Sequence, residues 1–279
     1  KEVPDESVDL IYIDPPFNSN RHYEVFWEDT QEKRAFEDRH GDTQAYIDFM
    51  RPRILELYRV LKKTGSFYYH CDWHASHYVK VMLDQIFGFN NFLNEVVWRY
   101  RTGGTSKQFF ARKHDTIFSY AKQFGKHIFN PLKEKSYVEK KYNYNEKYPE
   151  IWDEKKKQWY HLTYMRDVWT DLEAIGTENK KRLGFPTQKP VPLMERIIEA
   201  SSNKGDVVLD AFCGCGTTLI ASQKLGRKWI GIDISPTACR VMAQRLWDTF
   251  KLAEDKDFQL VNMLRNEKQL REIPPFEFE

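Results

Sequence analysis

The chain has 279 residues, with 43 Lys and Arg against 41 Asp and Glu, 15% aromatic residues and four cysteines. A net charge of +2 excludes a uniformly basic nucleic-acid coat, so any polyanion site must be local. Cys71, Cys213, Cys215 and Cys239 give neither a secreted disulfide framework nor paired zinc-knuckle spacing. No long uncharged apolar stretch or signal-peptide pattern occurs, so the composition predicts a cytoplasmic protein with no membrane partner, one α/β domain carrying an insertion.

The first element is the apolar run from Val8 to Ile13, which reads as a buried parallel strand. Asp14-Pro15-Pro16-Phe17 follows at its carboxyl end, where open α/β sheets collect ligands. Two prolines fix φ and remove two donors, leaving carbonyl acceptors between a carboxylate and an aromatic face. Such a loop is a receptor for an amino group on a flat ring. A polar stretch to His40 leads to Tyr46, Met50, Ile54, Leu57 and Leu61, spaced as one helix face, with Pro52 as a predicted kink and Gly65 as the helix end. A strand from Ser66 to Cys71 and a helix with Val79, Met82, Leu83 and Ile86 on one face give the β-α-β-α order of a parallel sheet, and Phe92–Tyr100 and Asp115–Tyr120 read as two further strands. His70, Cys71, Asp72 and His74 offer metal-type ligands, but their spacing within one segment reads better as a strand end, with Asp72 as a cap.

Between Trp98 and Tyr164 aromatic residues interleave with Lys and Arg, which suits phosphates and unstacked bases and equally suits a charged surface over ordinary aromatic packing. Apolar periodicity fades from Gly125 to Tyr164, the best candidate for an inserted, partner-facing subdomain. A helix opening at Pro192, a strand Val207–Ala211, a helix Thr217–Leu225, a strand Trp229–Ile234 and a helix through Leu246 form a second α/β segment. Its first strand runs into Asp210-Ala211-Phe212-Cys213-Gly214-Cys215-Gly216-Thr217-Thr218. The loop lacks the Lys of a phosphate loop, and Leu219 stands where a dinucleotide fingerprint needs a third glycine. Asp233, ending the next strand, is placed for ribose hydroxyls, so the loop predicts a ribose-bearing, cationic cofactor, and S-adenosyl-L-methionine fits.

Taken together, the chain resembles the beta-class DNA amino-methyltransferases, the N-4 cytosine and N-6 adenine DNA methylases. The resemblance is carried by Ile13-Asp14-Pro15-Pro16-Phe17-Asn18-Ser19, by the Asp210–Thr218 loop, and by Phe185-Pro186-Thr187-Gln188-Lys189-Pro190. It covers most of the chain and is weakest between Gly125 and Tyr164. It implies a Rossmann-like methyltransferase fold in circularly permuted motif order, with a mostly parallel sheet, helices on both faces and an inserted target-recognition region. The implied division is 1–124 as the catalytic half, 125–164 as the target-recognition insertion, 165–255 as the cofactor half and 256–279 as a C-terminal extension. Cys215 replaces the family's usual small residue. The family also has an acid-tipped strand ahead of the catalytic one, so the chain is expected to be a fragment of a longer protein.

By resemblance, the acceptor is adenine N6 in a flipped base of double-stranded DNA, with Asp14, Pro15, Pro16 and Phe17 catalytic. Asp210, Phe212, Gly214, Gly216, Thr217, Thr218 and Asp233 hold S-adenosyl-L-methionine, Lys189 meets its carboxylate, and no metal is required. Arg99, Arg101, Lys107, Arg112 and Lys113 are candidate phosphate contacts, and a restriction subunit or further domains are candidate partners. The alternatives are an N4-cytosine enzyme and a non-catalytic methyltransferase-like DNA-binding module.

Overall fold

The computed structural model describes residues 3–16, 21–26, 33–38, 43–101, 105–139, 149–175 and 188–261. Strand β1 (Val8–Ile13) is buried along its whole length, which explains its continuous apolar run. Its one charge, Asp9, is held by Lys62 Nζ at 2.7 Å and by the amide of Val207 at 2.9 Å. A hairpin, β2 (Arg21–Phe26) and β3 (Lys33–Asp38), lies in what the sequence suggested was a featureless polar stretch. Helix α1 (Thr43–Val60) then packs Tyr46, Ile47, Met50 and Ile54 inward and runs through Pro52.

Strand β4 (Leu61–Cys71) begins immediately after α1, so Gly65 does not end the helix as expected. Pairing with β1 jumps from Val8↔Leu61 to Leu10↔Ser66, leaving Gly65 in an irregularity inside the strand. A Cβ there would lie 2.8 Å from the Asp9 carbonyl oxygen and 2.5 Å from Leu61 Cδ1, so close backbone approach demands glycine. Helix α2 (Ser76–Phe87), strand β5 (Phe92–Arg99) and strand β6 (His114–Ala121) follow as the periodicity predicts.

From 133 to 164 the chain builds a separate antiparallel sheet, β7 (Lys133–Val138), β8 (Ile151–Asp153) and β9 (Gln158–Tyr164), in the order β7-β9-β8. Its strands are half-buried at best, which is why no hydrophobic period marks them. Strand β10 (Val168–Trp169) rejoins the main sheet beside β5. The second half supplies α3 (Val191–Ser201), β11 (Val207–Asp210), α4 (Thr217–Lys224), β12 (Lys228–Gly231) and α5 (Pro236–Phe250).

The main sheet has the order β10-β5-β6-β4-β1-β11-β12, and within it β6 runs antiparallel to its neighbours. Strands from the two ends of the chain are therefore neighbours, with Leu10↔Val208, Ile11↔Leu209 and Tyr12↔Asp210 in register. Alternation along β1 sends Ile11 and Ile13 to the face covered by α1 and α2, and Leu10 and Tyr12 to the face covered by α3 and α4. Each fully buried large aliphatic or aromatic side chain contributes about 1.5–3 kcal/mol to closing these layers.

Candidate active site at the carboxyl edge of the sheet

Asp14, Pro15 and Pro16 leave the carboxyl end of β1, with Asp14 two residues beyond Tyr12. The Asp14 carboxylate pairs with Lys189 Nζ at 2.6 Å, across 175 positions of sequence. Lys189 precedes Pro190, the N-cap of α3, with Pro192 in the helix's first turn as its fixed φ favours. Sequence reasoning gave Lys189 to a cofactor carboxylate; the structure puts its ammonium on Asp14. Phe17 and Phe185–Thr187 lie outside the described residues.

One strand over, β11 delivers Asp210, whose Oδ1 accepts the Phe212 amide at 3.0 Å and whose Oδ2 accepts the Thr218 hydroxyl at 2.5 Å. Burial raises its carboxyl to about 7 against those two hydrogen bonds, and the charges of Asp14 and Asp233 add to the rise. Gly214 has φ +49° and donates its amide to Asp233 Oδ2 at 2.8 Å, while Asp233 Oδ1 accepts the Ser235 amide at 2.8 Å. Asp233 thus braces the glycine loop and shapes the turn into α5, and burial lifts its carboxyl as well.

Gly216, the N-cap of α4, adopts φ +76°, and a Cβ there would fall 2.6 Å from Met242 Cγ on α5. Arg245 reaches from α5 to the Cys215 carbonyl at 3.0 Å and to Thr217 Oγ1 at 3.2 Å. Between the two loops lies a cavity of about 60 Å³, walled by Tyr12, Asp14, Lys189, Asp210, Gly214 and Thr218 among others. The structure therefore brings Asp14 of the first predicted motif to one cavity with Asp210, Phe212, Gly214, Thr217 and Thr218 of the second. Tyr12 and Arg245 were missed. Tyr12 could have been found from its two-residue spacing to Asp14, whereas nothing local in the sequence points Arg245 at the loop.

The ligand-type cluster at the end of β4 does not act as one unit. Among the described residues no group of three His, Cys, Asp or Glu could hold a metal. His70 faces Tyr12 and Asp115, whereas Cys71 belongs to the core on the other side of the sheet. Asp72 was expected to cap α2, but its carboxylate accepts the backbone amide of His74 at 2.9 Å and contacts the His74 ring, and the helix N-cap is Ala75. The physical reason is register: the chain turns at 72–75 before the helix begins, which puts Asp72 too early.

The basic candidates lie at the same sheet edge. Arg99, Arg101, Lys107 and Arg112 are exposed and Lys113 is half-buried. Arg112 lies over the Trp73 ring at 3.5 Å, and Trp73 in turn sits 3.8 Å from the His74 ring. Arg101 is partly committed, pairing with Glu173 at 3.3 Å.

A strand, glycine loop and helix beside an Asp-Pro-Pro loop, on an open sheet whose sequence order is permuted, define a Rossmann-like methyltransferase fold. The chain belongs to the DNA methylase family of N6 and N4 enzymes, whose family model matches residues 8–245. It is an S-adenosylmethionine-dependent DNA methyltransferase. The Type II methyltransferase M.HpaI of Haemophilus parainfluenzae is 31% identical over 257 residues, 90% of this chain and 71% of that one. DNA adenine methyltransferase YhdJ of Escherichia coli (strain K12) is 29% identical over 281 residues, 99% of this chain and 90% of that one. Among solved structures, the PvuII DNA methyltransferase (cytosine-N4-specific) shares the fold with a TM-score of 0.56 at 16% identity, over 88% of this chain and 82% of that one. Structures of methyltransferases holding S-adenosylmethionine align with the same fold.

Proposed function

We propose that this chain methylates the exocyclic N6 amine of adenine, in a base turned out of double-stranded DNA, with S-adenosyl-L-methionine as donor. The observation that carries the reading is the carboxylate of Asp14, held rigid before two prolines and opening onto the same cavity as Asp210 and the Gly214–Gly216 loop. The aspartate before the prolines favours adenine, because family members acting on cytosine more often have Ser there. Similarity to a relative named as an adenine methyltransferase along 99% of the chain supports the same choice.

The donor set fits the cofactor. Asp210 and Asp233 are carboxylates sunk among hydroxyl and amide donors, and burial raises both toward neutrality, which a cationic, hydroxyl-rich ligand would reverse. The described walls enclose only about 60 Å³, so they would grip part of the cofactor, with Thr217, Thr218 and Phe212 lining and Asp233 facing the ribose. When bound, the cofactor supplies an electrophilic methyl on sulfur.

The rest of the work falls to the protein. Asp14 and the Pro15 carbonyl would each accept one N–H of the amine, drawing its lone pair out of conjugation with the ring. Hydrogen-bond alignment suffices, since the amine of a neutral base is too weak an acid for a carboxylate to ionise. Lys189, paired with Asp14 at 2.6 Å, would hold that carboxylate in its aim at the amine. Phe17 would stack on the extruded base. Arg99, Arg101, Lys107, Arg112 and Lys113 would meet phosphates, and the 125–164 region, with its β7-β9-β8 sheet, would read the site. Such marking of cytoplasmic DNA suits a restriction-modification setting.

Digesting methylated DNA to nucleosides and identifying the product by mass spectrometry tests the reading. N6-methyladenine is expected, and N4-methylcytosine as sole product overturns it.

A further inference from the structure

A second polar constellation lies against the methyl-transfer cavity, and the mechanism above makes no use of it. On the α3 face of the sheet the Tyr12 hydroxyl meets His70 Nδ1 at 2.7 Å, His70 Nε2 meets Asp115 Oδ2 at 3.1 Å, and the Tyr100 hydroxyl donates to Asp115 Oδ1 at 2.9 Å. The four residues come from β1, β4, β6 and the position just past β5, so the chain of hydrogen bonds crosses the strands from the centre of the site outward. His70 is 0% exposed.

The order of the strands gives this constellation its place. Along the carboxyl edge stand Asp233 after β12, Asp210 on β11, Asp14 after β1 and Asp115 at the start of the antiparallel β6. The glycine loop and its two aspartates occupy one side of Asp14, and the His70 network occupies the other. In a direct methyl transfer donor and acceptor approach the methyl from opposite sides, so the network lies on the acceptor's side.

The bonding has a direction. Asp115 stays ionised, because hydrogen bonding from His70, the charge of Lys189 and the Tyr100 hydroxyl outweigh its burial. An ionised carboxylate can only accept, so His70 Nε2 donates to Asp115, and Nδ1 is left facing the Tyr12 hydroxyl at 2.7 Å. Trp98 meets the His70 ring edge-on at 5.7 Å, which fixes its plane. Tyr12 is thereby locked, and it both lines the cavity and precedes Asp14 by two residues on one strand face. A Tyr–His–Asp chain buried on a sheet face otherwise packed with Leu, Ile, Met and Trp is a costly way to fill a core.

We propose that His70, oriented by Asp115, is a positioning residue that locks the Tyr12 ring as the wall of the methyl-transfer cavity beside Asp14. The proposal rests on the methyltransferase reading, with Tyr12 as the group that touches the reactants and His70 and Asp115 acting through it.

The test uses Tyr12→Phe, which keeps the ring and removes only its hydroxyl, together with Asp115→Asn and the double variant. Steady-state methylation of DNA gives kcat and KM, calorimetry gives S-adenosylmethionine affinity, and nitrogen-15 NMR of the His70 imidazole reports its tautomer. Tyr12→Phe is expected to lower kcat roughly tenfold with cofactor affinity within about threefold, the split of a misaligned transfer rather than of lost binding. The double variant should lose no more than the worse single one, because both act through one imidazole. The His70 nitrogen shifts should change in both single variants. If Asp115→Asn does not fold, Tyr100→Phe replaces it as the outer perturbation in the same cycle. Wild-type kcat in Tyr12→Phe, multiplied losses in the double variant, or loss of cofactor affinity in proportion to kcat each overturn the proposal. A wild-type protein that binds S-adenosylmethionine but never methylates DNA would instead sink the functional reading on which it rests.

Discussion

Asp210 offers the sharpest quantitative test of the site, because its burial acts against the free protein and in favour of the bound one. Moving a buried carboxyl from 3.8 to about 7 corresponds to roughly 4 kcal/mol at about 1.36 kcal/mol per pH unit. The sign follows from proton counting. Between the unfolded value and about 7 the folded state keeps a proton that the unfolded chain has lost, so stability falls as pH rises through that window and levels off above it. Replacing Asp210 by Asn removes the buried charge and retains an acceptor for the Phe212 amide, while the Thr218 hydroxyl can turn to accept. After allowing for weaker hydrogen bonds, Asp210→Asn should be more stable than wild type by about 1–3 kcal/mol at pH 8, and no more stable near pH 4. Denaturant unfolding of both proteins across this pH range reads the difference, which also subtracts Asp233 and every other titrating group. Cofactor affinity should run the opposite way: in wild type it tightens by up to about tenfold per pH unit below about 7, and in Asp210→Asn that dependence is reduced. Equal stability of the two proteins at pH 8, with parallel pH profiles, would refute the claim that Asp210 carries a strained charge awaiting a cation.

Two further outcomes are expected. Asp14→Ala should abolish methyl transfer while leaving S-adenosylmethionine affinity within roughly tenfold, since the lost contact is chiefly with the acceptor; retained turnover would remove Asp14 from the mechanism. Gly216→Ala should cost about 2–4 kcal/mol in denaturant unfolding, from the positive φ and from the 2.6 Å approach to Met242 Cγ. Shortening Met242 to Ala in the same chain should recover the steric part, and no recovery would mean that backbone strain alone sets the loss.

Much of the fold was legible because the buried elements carry their own periodicity. The apolar run of β1 and the helix faces of α1, α2 and α3 each mark a buried side in sequence, and the element order then dictates a mostly parallel sheet, with β6 the antiparallel exception. The hairpin of Arg21–Phe26 and Lys33–Asp38 mixes charged and aromatic residues without such a pattern, and so reads in sequence only as a polar stretch. Gly65 misled because a glycine after an apolar helix reads as a stop, whereas here it answers to the Asp9 carbonyl, a neighbour 56 residues earlier. The same division runs through the site. Asp14, Asp210, Gly216 and Asp233 were legible because each belongs to a contiguous motif whose spacing is itself the chemistry. Tyr12–His70 and His70–Asp115 join residues 58 and 45 positions apart, and only strand order reveals them.

Asp14 and Asp210 line the cavity, Asp233 and Asp115 stand along the same sheet edge, and Lys189 pairs with Asp14. A pocket of this sign repels phosphate, yet its proposed substrate is a polyanion. The conflict is resolved if the two parts of the substrate are handled in different places. The segment from Arg99 to Lys113 carries exposed cations and the Arg112–Trp73 stack outside the pocket, where phosphates can be neutralised in solvent. What then enters must be uncharged and rich in N–H donors, and a base without its backbone is the part of DNA that meets both conditions. In the proposed reaction the aspartates would select the extruded base over the strand that carries it, and their negative charge would favour the cationic donor.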